Sequence, residues 1–184
     1  KIWNAARFIL MNLETEDYTL PETLQPEDRW IISHYNNTVR EVTQNLDKYE
    51  LGVATSCLYD FIWDIFCDWY IELVKPRLFD KGTQDCINAQ RVLVWVFGGT
   101  LKLLHPIMPF ITEEIWQSLP HEGESIMISP WPVYSDEYSF EDDERRIQRV
   151  IDAIRAIRIR RAEMNVPPSK RAKLLIDASD KDSF

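Results

Sequence analysis

The sequence predicts a mainly α fold, an antiparallel helical bundle followed by the start of a small α/β appendage, and three observations carry that expectation. Apolar residues recur at steps of three and four along most of the chain, the period of a helix with one buried face. Only 5 of the 184 residues are glycine, too few for the many tight turns of a sandwich or barrel. Hydrophobic residues make up 45% of the chain, which supplies a core and excludes a disordered polymer.

The first element opens the chain. On a helical wheel Ile2, Ala5, Ala6, Ile9 and Leu13 share one narrow stripe, the core face, while Lys1, Asn4, Arg7 and Phe8 project from the far side. An aromatic ring rimmed by cations and an amide suits an unpaired base, which stacks on the ring while phosphates meet the charges. The same pattern also fits a ring covered by a neighbouring helix, with its cations solvated. There is no initiator methionine, and Lys1 already reads as the inside of a helix, so the chain is expected to be part of something larger.

Glu14 to Gln25 reads as a polar connector, and Pro26 with Glu27 and Asp28 as a helix start, since proline fits the first helical position and acids favour the first turn. The second helix carries Ile32, Tyr35, Val39, Val42 and Leu46 and breaks at Leu51-Gly52. The third carries Ala54, Leu58, Phe61, Ile62, Ile65, Trp69 and Leu73 and is expected to stop before Pro76. Trp63, Phe66 and Tyr70 fill its other faces, so it is expected to be central; Trp69 and Tyr70 fit either the core or a pocket, the core being favoured for Trp69. A fourth helix runs from about Thr83 to Leu104, where Gly98-Gly99 suggests close approach of a neighbouring backbone. A short fifth covers Pro109 to Leu119.

The character changes near Pro120. We expect a bundle over residues 1–119 and, over 120–184, a linker, a basic helix and the first strand of a small module. The linker includes a short extended piece, Ser125 to Ile128. The sixth helix, Asp143 to Met164, has Ile147, Val150, Ile151, Ile154 and Ile157 as its stripe, and Ala172 to Ile176 reads as a strand.

Catalytic chemistry is hard to assemble from these residues. His34, His105 and His121 are scattered, without HExxH spacing, and no phosphate-cradling glycine motif or nucleophile elbow occurs. Asp60, Asp64 and Asp68 recur at i+4, more simply a solvated row than a shared-proton site. Cys57, Cys67 and Cys86 show no CxxC and read as buried, reduced thiols. No catalytic residue, metal or cofactor is assigned.

Net charge is −9, which at first argues against a polyanionic partner, but its distribution is uneven. Residues 1–144 hold 10 basic and 25 acidic side chains, whereas residues 145–173 hold 10 basic and 2 acidic. Such a split suggests an electrostatic footprint confined to one stretch, although a solvated amphipathic helix has the same composition.

Several segments together resemble a known family. Lys1-Ile2-Trp3-Asn4-Ala5-Ala6-Arg7-Phe8, Asp28-Arg29-Trp30-Ile31, Tyr59 to Asp64 continuing to Lys75-Pro76, Leu104 to Trp116, Arg155 to Arg158, and Met164 to Ser169 are similar to the valyl-tRNA synthetases, within the class I aminoacyl-tRNA synthetases. Isoleucyl and leucyl enzymes share the bundle and the proline-rich Leu104 to Trp116 pattern, so an anticodon-binding domain of that type is one alternative. An acidic helical adaptor for a basic protein partner is another. Neither ATP-site signature of class I, His-Ile-Gly-His or Lys-Met-Ser-Lys-Ser, occurs in these residues.

The resemblance implies an anticodon-binding bundle whose parent joins L-valine to tRNA(Val) with ATP and Mg and edits threonine elsewhere, the residues here being non-catalytic. It matches Lys1, Arg7 and Phe8 to anticodon-contacting positions that read a splayed middle adenine and third cytosine; the wheel adds Asn4. Arg155, Arg158, Arg161 and Lys170 are candidates for tRNA backbone contacts. The implied partners are tRNA(Val) and the catalytic and editing domains of the same polypeptide, in a cytoplasmic monomer without membrane attachment.

Overall fold

A computed structural model describes residues 1–167, 169–171 and 173–175. Seven α-helices follow in order among them: α1 (Ile2–Asn12), α2 (Pro26–Asp47), α3 (Leu51–Asp60), α4 (Ile71–Phe79), α5 (Gln84–Leu104), α6 (Pro109–Trp116) and α7 (Glu141–Glu163). A π-helical segment, Phe61–Tyr70, joins α3 to α4 without a break, and two 3-10 turns, Ile126–Ile128 and Asp136–Tyr138, interrupt the segment before α7. The mainly α bundle is the predicted fold class.

Helix starts follow the sequence closely. Gln25 caps α2 through a reciprocal box with Asp28, and Pro26 takes the first helical position, where its missing N–H is no loss. The Thr83 hydroxyl accepts from the Cys86 N–H to cap α5. The break after α2 falls at Lys48 to Glu50, before Leu51-Gly52. There Tyr49 turns left-handed at φ 60°, and the N–H groups of Tyr49 and Glu50 donate to the carbonyls of Leu46 and Asn45, satisfying the last turn.

The largest departure from the expected pattern lies in the third helix. Ala54, Leu58, Ile62, Phe66, Tyr70, Val74 and Leu78 are all buried, a row of constant step four. In pure α geometry each such step overshoots the turn by about 40°, so six steps would carry the row roughly two-thirds of the way round the helix. The π turns of Phe61–Tyr70 bond i to i+5 and are wider than an α turn, which winds the row back onto one face. Phe66 and Tyr70 therefore enter the core, while Ile65 and Trp69, assigned inward by α spacing, are only half-buried. The helix also continues through Pro76 to Phe79. Proline removes one N–H there, and burial of Val74 and Leu78 on either side offsets the loss.

α5, rather than the third helix, is the central element: fourteen of its 21 residues are buried. Gly99 meets a side chain and not a backbone, since a Cβ there would collide with the Tyr35 hydroxyl.

The strap from Gln117 to Phe140 is pinned along one face of α2. The Asn36 side chain donates to the Ser135 carbonyl at 2.7 Å and accepts from its N–H at 3.0 Å, Thr43 accepts from the Trp131 indole at 2.9 Å, and Ser33 accepts from the Phe140 N–H at 3.1 Å. Arg40 lies 4.6 Å from the Tyr134 ring centroid. Positions 33, 36, 40 and 43 follow the i, i+3, i+7, i+10 stripe of a helix, here polar because it receives backbone. Ser125–Ile128, expected as an extended piece, includes a 3-10 turn because the Ser125 hydroxyl accepts from the Met127 N–H. α7 then packs on α2, with Ile151 joining the common hydrophobic core. Lys173, Leu174 and Leu175, inside the expected strand, pair with no strand among the described residues, and a strand has no stable form without a partner; Ala172 and Ile176 lie outside those residues.

Charge locks the end of the bundle where α2 begins. Asp28 is fully buried, and the Arg77 guanidinium donates to both its oxygens at 2.8 and 2.9 Å, and to Glu27 at 3.1 Å and Asp85 at 2.9 Å. The Tyr70 hydroxyl donates to Asp28 at 2.9 Å. Burial opposes the charge on Arg77, but the hydrogen bonds to Asp28 and Asp85 more than offset it and hold the guanidinium above its ordinary value. One cation thus ties α2, α4 and α5.

Candidate nucleic-acid interface

α1 buries Ile2, Ala5, Ala6 and Ile9, and Leu13, expected on the same stripe, is half-buried just beyond the helix end. Lys1, Trp3, Asn4, Arg7 and Met11 are exposed, and Phe8 is half-buried at the edge of this face. The wheel had anticipated this division for most of the helix because small alanines let α1 lie close against α5.

The polar residues of this face are held to different degrees. Lys1 donates to Asp68 at 2.6 Å and to the Trp63 carbonyl at 3.3 Å. The hydrogen bond to Asp68 raises the Lys1 ammonium above its ordinary value. Trp63 in turn stacks on Tyr59, with centroids 4.6 Å apart. Phe8 has the Lys75 ammonium 5.7 Å from its ring centroid, and Lys75 is itself paired with Glu72. The side chains of Asn4 and Arg7 have no hydrogen-bond or ion-pair partner among the described residues. α1 therefore presents an amide and a guanidinium beside a half-buried ring with the Lys75 ammonium near its face, an arrangement able to take a base and its phosphate.

A second cationic cluster meets the π segment. The guanidinium groups of Arg155 and Arg158 lie 5.3 and 5.5 Å from the Trp69 ring centroid, within cation–π range. Together with Asp64, Cys67, Asp68 and Glu72 they line a groove of about 520 Å³. Asp68 thus links Lys1 of α1 to this groove. Arg155 also pairs with Asp152 at 3.6 Å. Arg161 donates to the carbonyls of Pro167 and Lys170 at 2.8 and 2.7 Å, closing the turn after α7, and Lys170 is exposed. The four basic residues therefore divide into two on Trp69, one tying a turn and one in solvent. Sequence spacing missed the pairing of Trp69 with α7, because an α register points that ring into the core.

The other titratable groups singled out by sequence sit apart from these clusters. The His105 imidazole meets the Thr112 hydroxyl at 2.8 Å, and His121 meets the Leu119 carbonyl at 2.7 Å. Burial beside Trp30 lowers the His34 imidazole, with Glu144 working against that shift. Cys86 is buried but Cys57 and Cys67 are only half-buried, and burial raises the thiols of both. Among the described residues no helix is long and apolar enough to cross a membrane.

Residues 28–176 match the family model for the anticodon-binding domain of tRNA ligase, and the chain belongs to that family. Within it, the chain is 50% identical over 189 aligned positions to a valine–tRNA ligase from Clostridium acetobutylicum, covering 100% of this chain and 22% of that protein. A valine–tRNA ligase from Carboxydothermus hydrogenoformans is also 50% identical, over 98% of this chain and 21% of its own length. The chain thus spans about a fifth of these relatives, and α1, which precedes the family-model match, lies within the first alignment because that alignment takes in the whole chain. Among solved structures, a chain of the LeuRS-tRNA-LeuAMS ternary complex from Agrobacterium radiobacter K84 shares the fold, with TM-score 0.52 and 16% identity over 76% of this chain and 16% of that one.

Proposed function

We propose that this chain is the part of a valine–tRNA ligase that holds the anticodon of tRNA(Val), with the outer face of α1 as its reading surface. The observation that carries the reading is the unpartnered pair Asn4 and Arg7 beside Phe8. An unstacked anticodon base lies on the Phe8 ring, the Lys75 ammonium withdraws toward Glu72, and Arg7, Asn4 and Lys1 meet base edges or phosphates. Arg155, Arg158 and Lys170 supply backbone contacts, with Arg161 shaping the turn that carries Lys170.

The middle adenine and third cytosine of the anticodon are the bases read. Joining of L-valine to tRNA with ATP and Mg, and editing of threonine, belong to catalytic and editing domains of the same polypeptide. The parent works as a cytoplasmic monomer. The family match and the valine–tRNA ligase relatives support this assignment over an acidic adaptor. The acidic surplus over residues 1–144 repels tRNA outside the binding edge, so the chain alone binds weakly and relies on the other domains.

The test is Phe8→Ala and Arg7→Ala in the full-length ligase. Both raise the KM for tRNA while valine-dependent ATP–pyrophosphate exchange stays intact; equal loss of both activities contradicts the assignment.

A further inference from the structure

A cavity of about 500 Å³ lies between α2, α5 and the strap, and none of Lys1, Asn4, Arg7 and Phe8 lines it. Its size falls within the roughly 300–1,000 Å³ of small-molecule sites. The walls are aromatic. Tyr35, Trp95 and Tyr138 meet edge to face at centroid separations of 5.2 and 5.3 Å, and Trp116 and Trp131 complete the lining.

Some of its polar groups are taken, since Asn36, His121, Ser129 and the Trp131 indole are hydrogen-bonded to the protein, and others are not. Tyr35 is 5% exposed, its hydroxyl lies over Gly99, and burial alone raises the phenol, with no hydrogen bond to a described residue. The Trp116 indole N–H is buried without an acceptor. Lys102 reaches over the Trp116 ring, 5.1 Å from its centroid, and has no ion-pair partner among the described residues. The one acidic lining residue, Glu122, is exposed at the rim. A buried donor without an acceptor destabilises a fold, and here the unused hydroxyl and an ammonium whose opposing charge is the rim residue Glu122 share a wall with edge-to-face rings.

We propose that this cavity binds a flat aromatic ligand carrying one anionic group, its ring held by Tyr35, Trp95 and Tyr138 and its anion by Lys102. The Tyr35 hydroxyl donates to the ligand from the same wall. Apolar walls exclude a strongly hydrated molecule, the single cation selects an anion, and Glu122 disfavours a multiply charged one. Gly99 is required because any side chain there displaces Tyr35. The site is separate from the anticodon face, so it stands or falls independently of the tRNA reading.

The experiment titrates indole-3-acetate into the full-length polypeptide that carries this chain and follows the indole N–H resonances of its labelled tryptophans by nuclear magnetic resonance. Tryptophol, with the same ring and a neutral hydroxyl, is the control. Saturable shifts at Trp95 and Trp116, with a Kd at or below about 1 mM, are expected for the acid, and binding at least about tenfold weaker for the alcohol. Lys102→Met lowers affinity for the acid about tenfold and leaves the alcohol unchanged, and Tyr35→Phe, which keeps the ring, lowers it about threefold. An unshifted Trp30 resonance reports an intact core in each variant, and Lys102→Gln replaces Lys102→Met if that variant does not fold. No saturable shift at Trp95 or Trp116, equal affinity for acid and alcohol, or an affinity indifferent to both Lys102 variants overturns the proposal.

Discussion

Two clusters of charge, at opposite ends of the scale of burial, do different work in this molecule. Around Arg77 the charges of Glu27, Asp28 and Asp85 are all paired, with Asp28 and Arg77 out of solvent and Asp85 at the edge, and the cluster joins three helices. On α1, Arg7 is exposed and unpartnered and Lys1 is held by a single exposed carboxylate. A buried ion pair is costly to break because the surviving partner is left uncompensated, whereas an exposed cation contributes little to folding. The first cluster therefore reports on stability and the second is free to report on a ligand.

The contrast is sharpest on removing Arg77. Arg77→Met leaves Asp28 buried without its cation and is expected to cost about 3–5 kcal/mol, a fall in melting temperature of roughly 10 °C for a chain of this size. A loss within about 0.5 kcal/mol would place Arg77 among the surface charges. Phe8→Ala in the full-length ligase removes a stacking contact worth about 1–3 kcal/mol per base, so the tRNA KM should rise roughly 5- to 150-fold in steady-state aminoacylation. Arg7→Ala should move the same constant while changing the melting temperature little.

His34 adds a titration to the buried side of the comparison. Its imidazole is lowered by burial in the fold, so the unfolded chain takes up a proton that the folded chain refuses. Stability is full above the ordinary value of 6.5 and declines as pH falls below it toward the lowered folded value. Chemical denaturation from pH 7.5 to 5 should show this decline, and His34→Phe should flatten it. The smallest effect is expected from Asp68→Asn. It removes the hydrogen-bonded carboxylate that raises Lys1, returning the ammonium toward 10.5 with little change in stability because the pair is exposed, measurable by titration of the Lys1 side chain.

Most of the bundle was legible because capping and period-3.6 burial are local. Pro26 with Glu27 and Asp28 marked the start of α2, and Ile2, Ala5, Ala6 and Ile9 marked the inner face of α1. What was not legible depends on partners distant in sequence. Constant steps of four from Ala54 to Leu78 are ambiguous until π turns rewind them, so Trp69 was assigned to the core when it lies under Arg155 and Arg158. Nothing local to the polar stripe Ser33, Asn36, Arg40 and Thr43 shows that the strap will cross it. The candidate site on α1 was visible as a wheel position, but Asp68 and Lys75, which hold Lys1 and Phe8, lie more than sixty residues away.

The central claim is that α1 reads the anticodon. The most direct measurement is a cycle in the full-length ligase, combining Phe8→Ala with a tRNA(Val) whose middle anticodon adenine is replaced by an abasic nucleotide, and comparing kcat/KM for aminoacylation across the four pairs. If Phe8 stacks on that base, the replacement costs the wild-type enzyme more than about tenfold and the Phe8→Ala enzyme far less, a coupling above about 1 kcal/mol. Equal sensitivity of both enzymes to removal of the base contradicts the account.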